Sequence, residues 1–242
     1  MQEDALLPIL HSKSSCYAHL AARGFPVPAH RVVQNATELS MALAALGYPE
    51  RPLLMKPNTM RGGRGVCVIA TSPDACSEAV QVSDATFAAK LLDGVTSYIV
   101  MPYYRGTIYD IDVLTYANGN TWFGARGRFT NVTKHFSGNV FSHDTALLDF
   151  ARRCYAALPT RYLVDYDILV TEDRELVLLE VNARPSGSTV SYLPFGTNLF
   201  AVLAASYLEG RHERVVAPPD GARAVACFDM VARAPQCVPT LV

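Results

Sequence analysis

Five polar side chains in the second half of the chain are spaced for chemistry. Asp165 and Asp167 alternate in the apolar run at 162–170, and Glu180, Asn182 and Arg184 alternate in Leu-Leu-Glu-Val-Asn-Ala-Arg at 178–184. Side chains alternate across a strand, so each set shares one face. Glu172-Asp173-Arg174 reads as the turn of a hairpin that brings Asp167 close to Glu180. A strand buried on both faces should be continuously hydrophobic, and unpaired buried charge is costly. Asp167, Glu180 and Asn182 therefore read as hard oxygen ligands, which suit magnesium supplemented by water and phosphate oxygens. The alternatives are a structural ion pair and a solvated acidic hairpin face.

Cations and glycines elsewhere could complement such a site. Lys56 ends the apolar strand Pro-Leu-Leu-Met-Lys-Pro, and Arg61, Gly62, Gly63, Arg64 and Gly65 follow in one loop. Such a loop can present backbone N–H groups to phosphate oxygens, although Gly-rich hairpin tips are also common for purely structural reasons. It contains neither G-x-x-x-x-G-K-[ST] nor G-x-G-x-x-G. Arg126 and Arg128 share a strand face, and the guanidinium fork suits carboxylate or phosphate. For Arg128 a surface ion pair reads as well as a ligand contact. Lys13, just before a first helix, could reach a phosphate or be a solvated lysine. His135 reads as an exposed loop histidine, and Tyr103 and Tyr104 as core. No G-x-S-x-G elbow or zinc spacing occurs.

The elements that must position these groups follow from patterning. Helices are expected over 14–23, 37–46 with Thr37 as N-cap, 72–82, 145–158 and 199–208. Strands are expected over 98–104, 109–116 and 121–129, then the acidic hairpin, with a final strand at 223–232. Two α+β lobes emerge, meeting near residue 98. Residues 1–50 form a helical connecting segment, 51–97 a small lobe with the Gly-rich lid, and 98–242 a large lobe with the hairpin.

Composition excludes several function classes. The 242 residues carry 21 Lys plus Arg against 22 Asp plus Glu, a net charge of -1. That gives no electrostatic case for nucleic acid or an acidic membrane surface. The six cysteines are scattered without C-x-x-C, no apolar run reaches a membrane span, and the N-terminus has no signal-peptide core. The expectation is a cytoplasmic protein with small-molecule partners.

Taken in order from residue 11 to 210, the segments "SKSSCYAHLAARGFPVP", "LLMKP" with "RGGRGV", and "LLEVNARPSG" resemble an ATP-grasp domain of the carboxylate–amine ligase, carbamoyl-phosphate-synthetase-like branch. The resemblance implies an α+β ATP-grasp fold with ATP between two lobes. It also implies two magnesium ions (manganese is possible) on Asp167, Glu180 and Asn182, with Asp165 a lesser stand-in. Lys13 and Lys56 would hold phosphates under a lid from Arg61 to Gly65. Backbone groups of Met101 and Tyr103 would hold adenine. Arg126 and Arg184 would face the transferred phosphoryl group or the substrate carboxylate.

The implied reaction joins a small carboxylic acid to an amine through an acylphosphate. Three features depart from the family pattern. Met101 or Pro102 stands where the hinge usually has glutamate, and Pro102 has no N–H. The ribose-binding acid falls on Ile108, leaving Asp110 as a substitute. The leading domain of such ligases is absent or truncated, which a homodimer or another partner could supply. A small-molecule kinase and a non-catalytic nucleotide-sensing or partner-binding module are the competing functions.

Overall fold

A computed structural model of the chain describes residues 3–59, 65–72, 82–130, 136–227 and 236–238. The chain divides into two compact units, Met1–Arg105 and Gly106–Val242. The expected lobe boundary near residue 98 therefore falls after Arg105. The strand beginning at Tyr98 belongs by its hydrogen bonds to the first unit's sheet. The expected helix at 72–82 and His135 lie outside the described residues.

In the first unit, helices α1 (Glu3–Leu10), α2 (Lys13–Ala21), α3 (Ala36–Ala45) and α4 (Ala85–Lys90) accompany five strands. These are β1 (Arg31–Val33), β2 (Leu53–Pro57), β3 (Cys67–Ile69), β4 (Val82–Ser83) and β5 (Tyr98–Pro102), in spatial order β1-β5-β2-β3-β4. Only the β3–β4 pair is parallel. Leu39, Leu43, Leu53, Met55, Ile69 and Val100 form the core between α3 and the sheet. The N-cap of α3 is Asn35 rather than Thr37. Its Oδ1 accepts the Glu38 N–H at 3.0 Å, and the Glu38 carboxylate accepts the Gln34 N–H at 2.7 Å. The first satisfies an amide donor of the first helical turn, and the second ties the residue before the N-cap to that turn.

The second unit is built on an antiparallel sheet of seven strands. In chain order these are β6 (Gly106–Thr115), β7 (Thr121–Thr130), β8 (Phe136–Ser142), β9 (Tyr162–Thr171), β10 (Leu176–Asn182), β11 (Arg223–Cys227) and β12 (Gln236–Val238). Their spatial order is β10-β9-β6-β7-β8-β11-β12. Helix α5 (Thr145–Ala157) covers one face with Leu147, Phe150, Ala151 and Cys154, a helical stripe. Tyr155 beside this stripe meets Phe123 of β7 edge-on.

The opposite face changes character along its length. Toward the β6–β7 turn, Leu114, Tyr116, Leu163 and Phe141 pack with Tyr192, Leu199 and Val202. The last three belong to a 3₁₀ segment, Gly187–Phe195, and to α6 (Leu199–Glu209). Further along, the same face carries the acids. The 3₁₀ segment thus lies at the junction of an apolar core and a polar centre.

Gly124 of β7 makes room for that cover. A Cβ there would clash with the Trp122 ring and the Tyr192 hydroxyl, so that one of them must shift. Gly124→Ala should therefore destabilise the protein by about 1–3 kcal/mol through overpacking. The check is a lowered denaturant midpoint with an unchanged slope.

Candidate metal centre

The acids meet through strand register. Glu180 lies opposite Asp167, and Asn182 opposite Asp165, across β10 and β9. Across β9 and β6, Asp167 faces Asp110 and Asp165 faces Asp112; across β6 and β7, Asp110 faces Arg126. Directly opposed residues share a sheet face, so five acidic residues, Asn182 and Arg126 project together.

A bulge makes this possible. Leu178 pairs with Ile168, yet Glu180 pairs with Asp167, so one extra residue enters β10 between Leu178 and Glu180. Without it Glu180 would oppose Tyr166, which belongs to the other face. One inserted residue reverses every later side chain on a strand.

Arg126 is the fixed point of the cluster. It is fully buried, and its Nε and Nη2 donate to the two oxygens of Asp112 at 2.7 and 3.0 Å. Its Nη1 donates to Asn139 Oδ1 at 3.1 Å and to Ser188 Oγ at 2.6 Å. Ser188 Oγ then donates to Asp110 at 3.1 Å, Thr189 Oγ1 to Asp112 at 3.0 Å, and Ser191 Oγ to Asn139 at 2.8 Å. The guanidinium therefore holds the 3₁₀ segment onto the sheet. These hydrogen bonds engage Arg126, expected to face the phosphoryl group or substrate carboxylate, inside the protein. Burial alone would lower its pKa, but the Asp112 charge and hydrogen bond outweigh that and raise it.

Arg128 is the second cation. Its guanidinium donates to Asp110, and to Asp167 Oδ1 at 2.7 Å, and the side chain keeps 33% exposure. Asp110 is correspondingly corrected from a ribose acid to a member of this cluster, being 1% exposed and bound by Arg128 and Ser188. Burial pushes the Asp110 carboxyl up, but the Arg128 hydrogen bond and the Arg128 and Arg126 charges bring it below the ordinary value.

Asp165 and Asp167 go the other way. Burial, then the Asp167, Asp110 and Asp112 charges, push Asp165 up to about 9. Burial pushes Asp167 up to about 7 against the opposing pull of Arg128. Asp165 Oδ2 accepts from Asn182 Nδ2 at 3.3 Å, while Asp165 Oδ1 is buried without a hydrogen-bond partner. One ligand oxygen from each of Asp110, Asp165 and Asp167 lies within 4.8 Å of the others. Carboxylates held this closely, one with an unsatisfied oxygen, are the donor set of a hard divalent ion.

The remaining expected residues are placed as follows. Arg184 is half-buried and donates to the Pro185 carbonyl at 2.9 Å. Lys56, the last but one residue of β2, is 7% exposed, and Lys13 begins α2 with 8%. Asn58, which sequence reading missed, ties their segments together. Its carbonyl accepts the Lys13 N–H at 3.0 Å, and its side chain exchanges hydrogen bonds with Ser14 at 3.0 and 2.9 Å. The Asn directly after a strand-ending Lys-Pro was the available signal.

Met101 is fully buried in β5. The Tyr103 N–H donates to the Pro52 carbonyl at 3.0 Å, so the expected adenine contact through that amide is corrected. Gly65 has φ +70 and stands 3.0 Å from the Pro57 ring at its Cβ position. Arg61, Gly62, Gly63 and Arg64 lie outside the described residues.

Two outcomes follow from this geometry. Arg126→Met should cost about 3–5 kcal/mol in chemical denaturation, since it leaves the buried Asp112 charge unpaired. With chelator present, stability should fall as pH rises from the ordinary carboxylate value of 3.8 to about 9. The reason is that the folded state retains a proton on Asp165 that the unfolded chain releases. A melting temperature that rises over this range would contradict the buried, uncompensated carboxyl.

The family described as "ATP-grasp in the biosynthetic pathway with Ter operon" matches residues 95–229, more than half of the chain. No curated protein matches. Among solved structures, an ADP complex of N5-carboxyaminoimidazole ribonucleotide synthetase is 19% identical with a TM-score of 0.71, covering 91% of this chain and 56% of its own. Biotin carboxylase from Campylobacter jejuni is 18% identical with a TM-score of 0.67, covering 91% and 51%. An L-amino acid ligase from Bacillus licheniformis is 16% identical with a TM-score of 0.61, covering 91% and 53%. At these identities the likeness is one of fold, and the chain spans about half the length of each. With the family match, the α+β sheets and the bulged acidic hairpin taken together, the chain belongs to the ATP-grasp family.

Proposed function

We propose that the protein is an ATP- and magnesium-dependent ligase that joins a small carboxylic acid to an amine. The observation carrying this reading is the register that sets Asp167, Glu180 and Asn182 beside Asp110 and Asp165 on one face. A buried cluster of that charge needs a cation, and family membership points to nucleotide phosphates as the ion's other ligands. A bound magnesium ion would neutralise charge on the phosphoryl group being transferred.

In this reading Asp167, Glu180 and Asn182 hold the metal. Lys13 and Lys56 hold phosphate oxygens. Arg184, following Asn182 on the same strand, orients the acid substrate. The substrate carboxylate oxygen attacks the terminal phosphorus, the bond to ADP breaks, and an acylphosphate forms. The amine nitrogen then attacks the acyl carbon, the carbon–oxygen bond to phosphate breaks, and the amine loses a proton. Positioning and charge neutralisation carry most of this chemistry, so no protein nucleophile is required. The surface around Arg184 and Ser186 selects the acid and amine, with a homodimer or another partner completing it. Three buried cysteines, Cys16, Cys67 and Cys154, suit a reducing cytoplasm, and no helix among the described residues is long and apolar enough to cross a membrane.

One observation favours a second reading, a nucleotide-sensing module without catalysis. The Tyr103 N–H is engaged by Pro52, and Pro102 has no N–H, so this hinge offers adenine fewer donors. Calorimetry of a non-hydrolysable ATP analogue, followed by product analysis, separates the two. The ligase reading expects magnesium-dependent binding that Glu180→Gln weakens at least about tenfold. It also expects release of both ADP and phosphate with a condensed product. Analogue binding without ADP release from any acid–amine pair would favour the sensor. Unchanged turnover in Glu180→Gln would remove Glu180 from the metal site.

A further inference from the structure

The register that gathers the acids leaves their charge unbalanced. Asp110, Asp112, Asp165 and Asp167 meet the guanidiniums of Arg126 and Arg128, four carboxylates against two cations. Arg126 is committed to Asp112 through paired hydrogen bonds and is fully buried, so that pair is closed. Asp165 receives only the Asn182 amide at 3.3 Å among the hydrogen bonds to its side chain, and its Oδ1 is buried with no partner. An orphaned buried carboxylate oxygen is among the costliest groups a protein can keep. It lies in a cluster whose oxygens are within 4.8 Å of one another.

We infer that Asp110, Asp165 and Asp167 form an inner divalent-cation site that fills without nucleotide, with Arg128 as the charge the ion displaces. This site stands one strand inward from the Asp167, Glu180 and Asn182 set, and it rests on the reading above only through the shared Asp167. The separation supports a hard ion of moderate size. Two oxygens on opposite sides of an ion lie twice one bond apart, about 4.2 Å for magnesium and about 4.6–5.2 Å for calcium. Oxygens within 4.8 Å of one another admit the magnesium spacing and the short end of the calcium range, so manganese, intermediate in size, is a suitable probe.

Arg128 is built to yield. It bridges Asp110 and Asp167, the two carboxylates of the trio other than Asp165, yet keeps 33% exposure, in contrast to Arg126 at 0%. A half-exposed arginine can move its guanidinium into water at modest cost, whereas Arg126 would leave buried partners behind. A divalent ion brings two charges where Arg128 brings one, and it can reach the Asp165 oxygen to which no hydrogen bond is made.

The test is titration of manganese into the intact, nucleotide-free protein, followed by electron paramagnetic resonance and thermal unfolding. Wild type should bind manganese and melt at a higher temperature in its presence. Asp165→Asn, which keeps the shape and removes the charge, should weaken binding at least about tenfold and abolish the manganese-dependent rise. Arg128→Gln should bind manganese more tightly than wild type, because the competing cation is gone. Glu180→Gln should retain nucleotide-free binding while losing nucleotide-dependent binding, so the two metal assignments fail separately. Should Asp165→Asn not fold, Asp110→Asn gives the same reading. Absence of nucleotide-free binding in wild type, or equal binding in Asp165→Asn, would overturn the site. Weaker binding in Arg128→Gln would overturn the displacement.

Discussion

The ion pair between Arg126 and Asp112 is the interaction on which the second unit's polar centre depends. Both side chains are fully buried, and the guanidinium meets both carboxylate oxygens. Its remaining reach, to Asn139 and Ser188, recruits the neighbouring strand and the 3₁₀ segment. Taking such a pair out of water is expensive, and its retention here goes with placement rather than stability. It binds one of four closely spaced carboxylates and fastens the cover over the sheet. Of the others, Asp110 and Asp167 meet the more exposed Arg128.

From that fixed point the electrostatics divide by strand. Asp110, between two arginines, is held below the ordinary carboxylate value by their hydrogen bonds and charges, which overcome its burial. Asp165, one position along the neighbouring strand, is pushed up by burial and by three carboxylate neighbours. Groups so close with opposite shifts mark a place where charge is waiting to be supplied. A divalent ion would supply it, and the phosphates of a nucleotide would complete the ion's coordination. That arrangement suits the proposed phosphoryl-transfer chemistry, for which neutralised charge and fixed position matter most.

Much of this was legible in the chain. The alternating acids of β9 and the Glu-x-Asn-x-Arg run of β10 announce a hairpin with a polar face, because period-2 patterning survives without tertiary context. The bulge does not announce itself, since an extra leucine in Leu-Val-Leu-Leu leaves no compositional trace. Asp110 and Asp112 carry the same alternation in Tyr-Asp-Ile-Asp-Val-Leu. Their meaning depends on β6 lying beside β9, a long-range pairing that local pattern cannot supply. For the same reason the resemblance assigns Arg126 to a substrate, although Asp112, Asn139 and Ser188 accept its hydrogen bonds inside the protein. Strand β8 was hidden by Ser137, Gly138 and Asn139, residues that favour turns, yet Asn139 is one of the groups Arg126 requires.

The central claim is that this sheet face binds a divalent ion, and a crystal grown with manganese and a non-hydrolysable ATP analogue tests it most directly. An anomalous-scattering peak bonded to Asp167, with the Arg128 guanidinium withdrawn from Asp110 and Asp167, is the predicted result. A face with no anomalous peak, in which Arg128 still bridges the two carboxylates beside a bound analogue, would contradict it. The cluster would then be an ion-pair network that stabilises the fold and takes no part in chemistry.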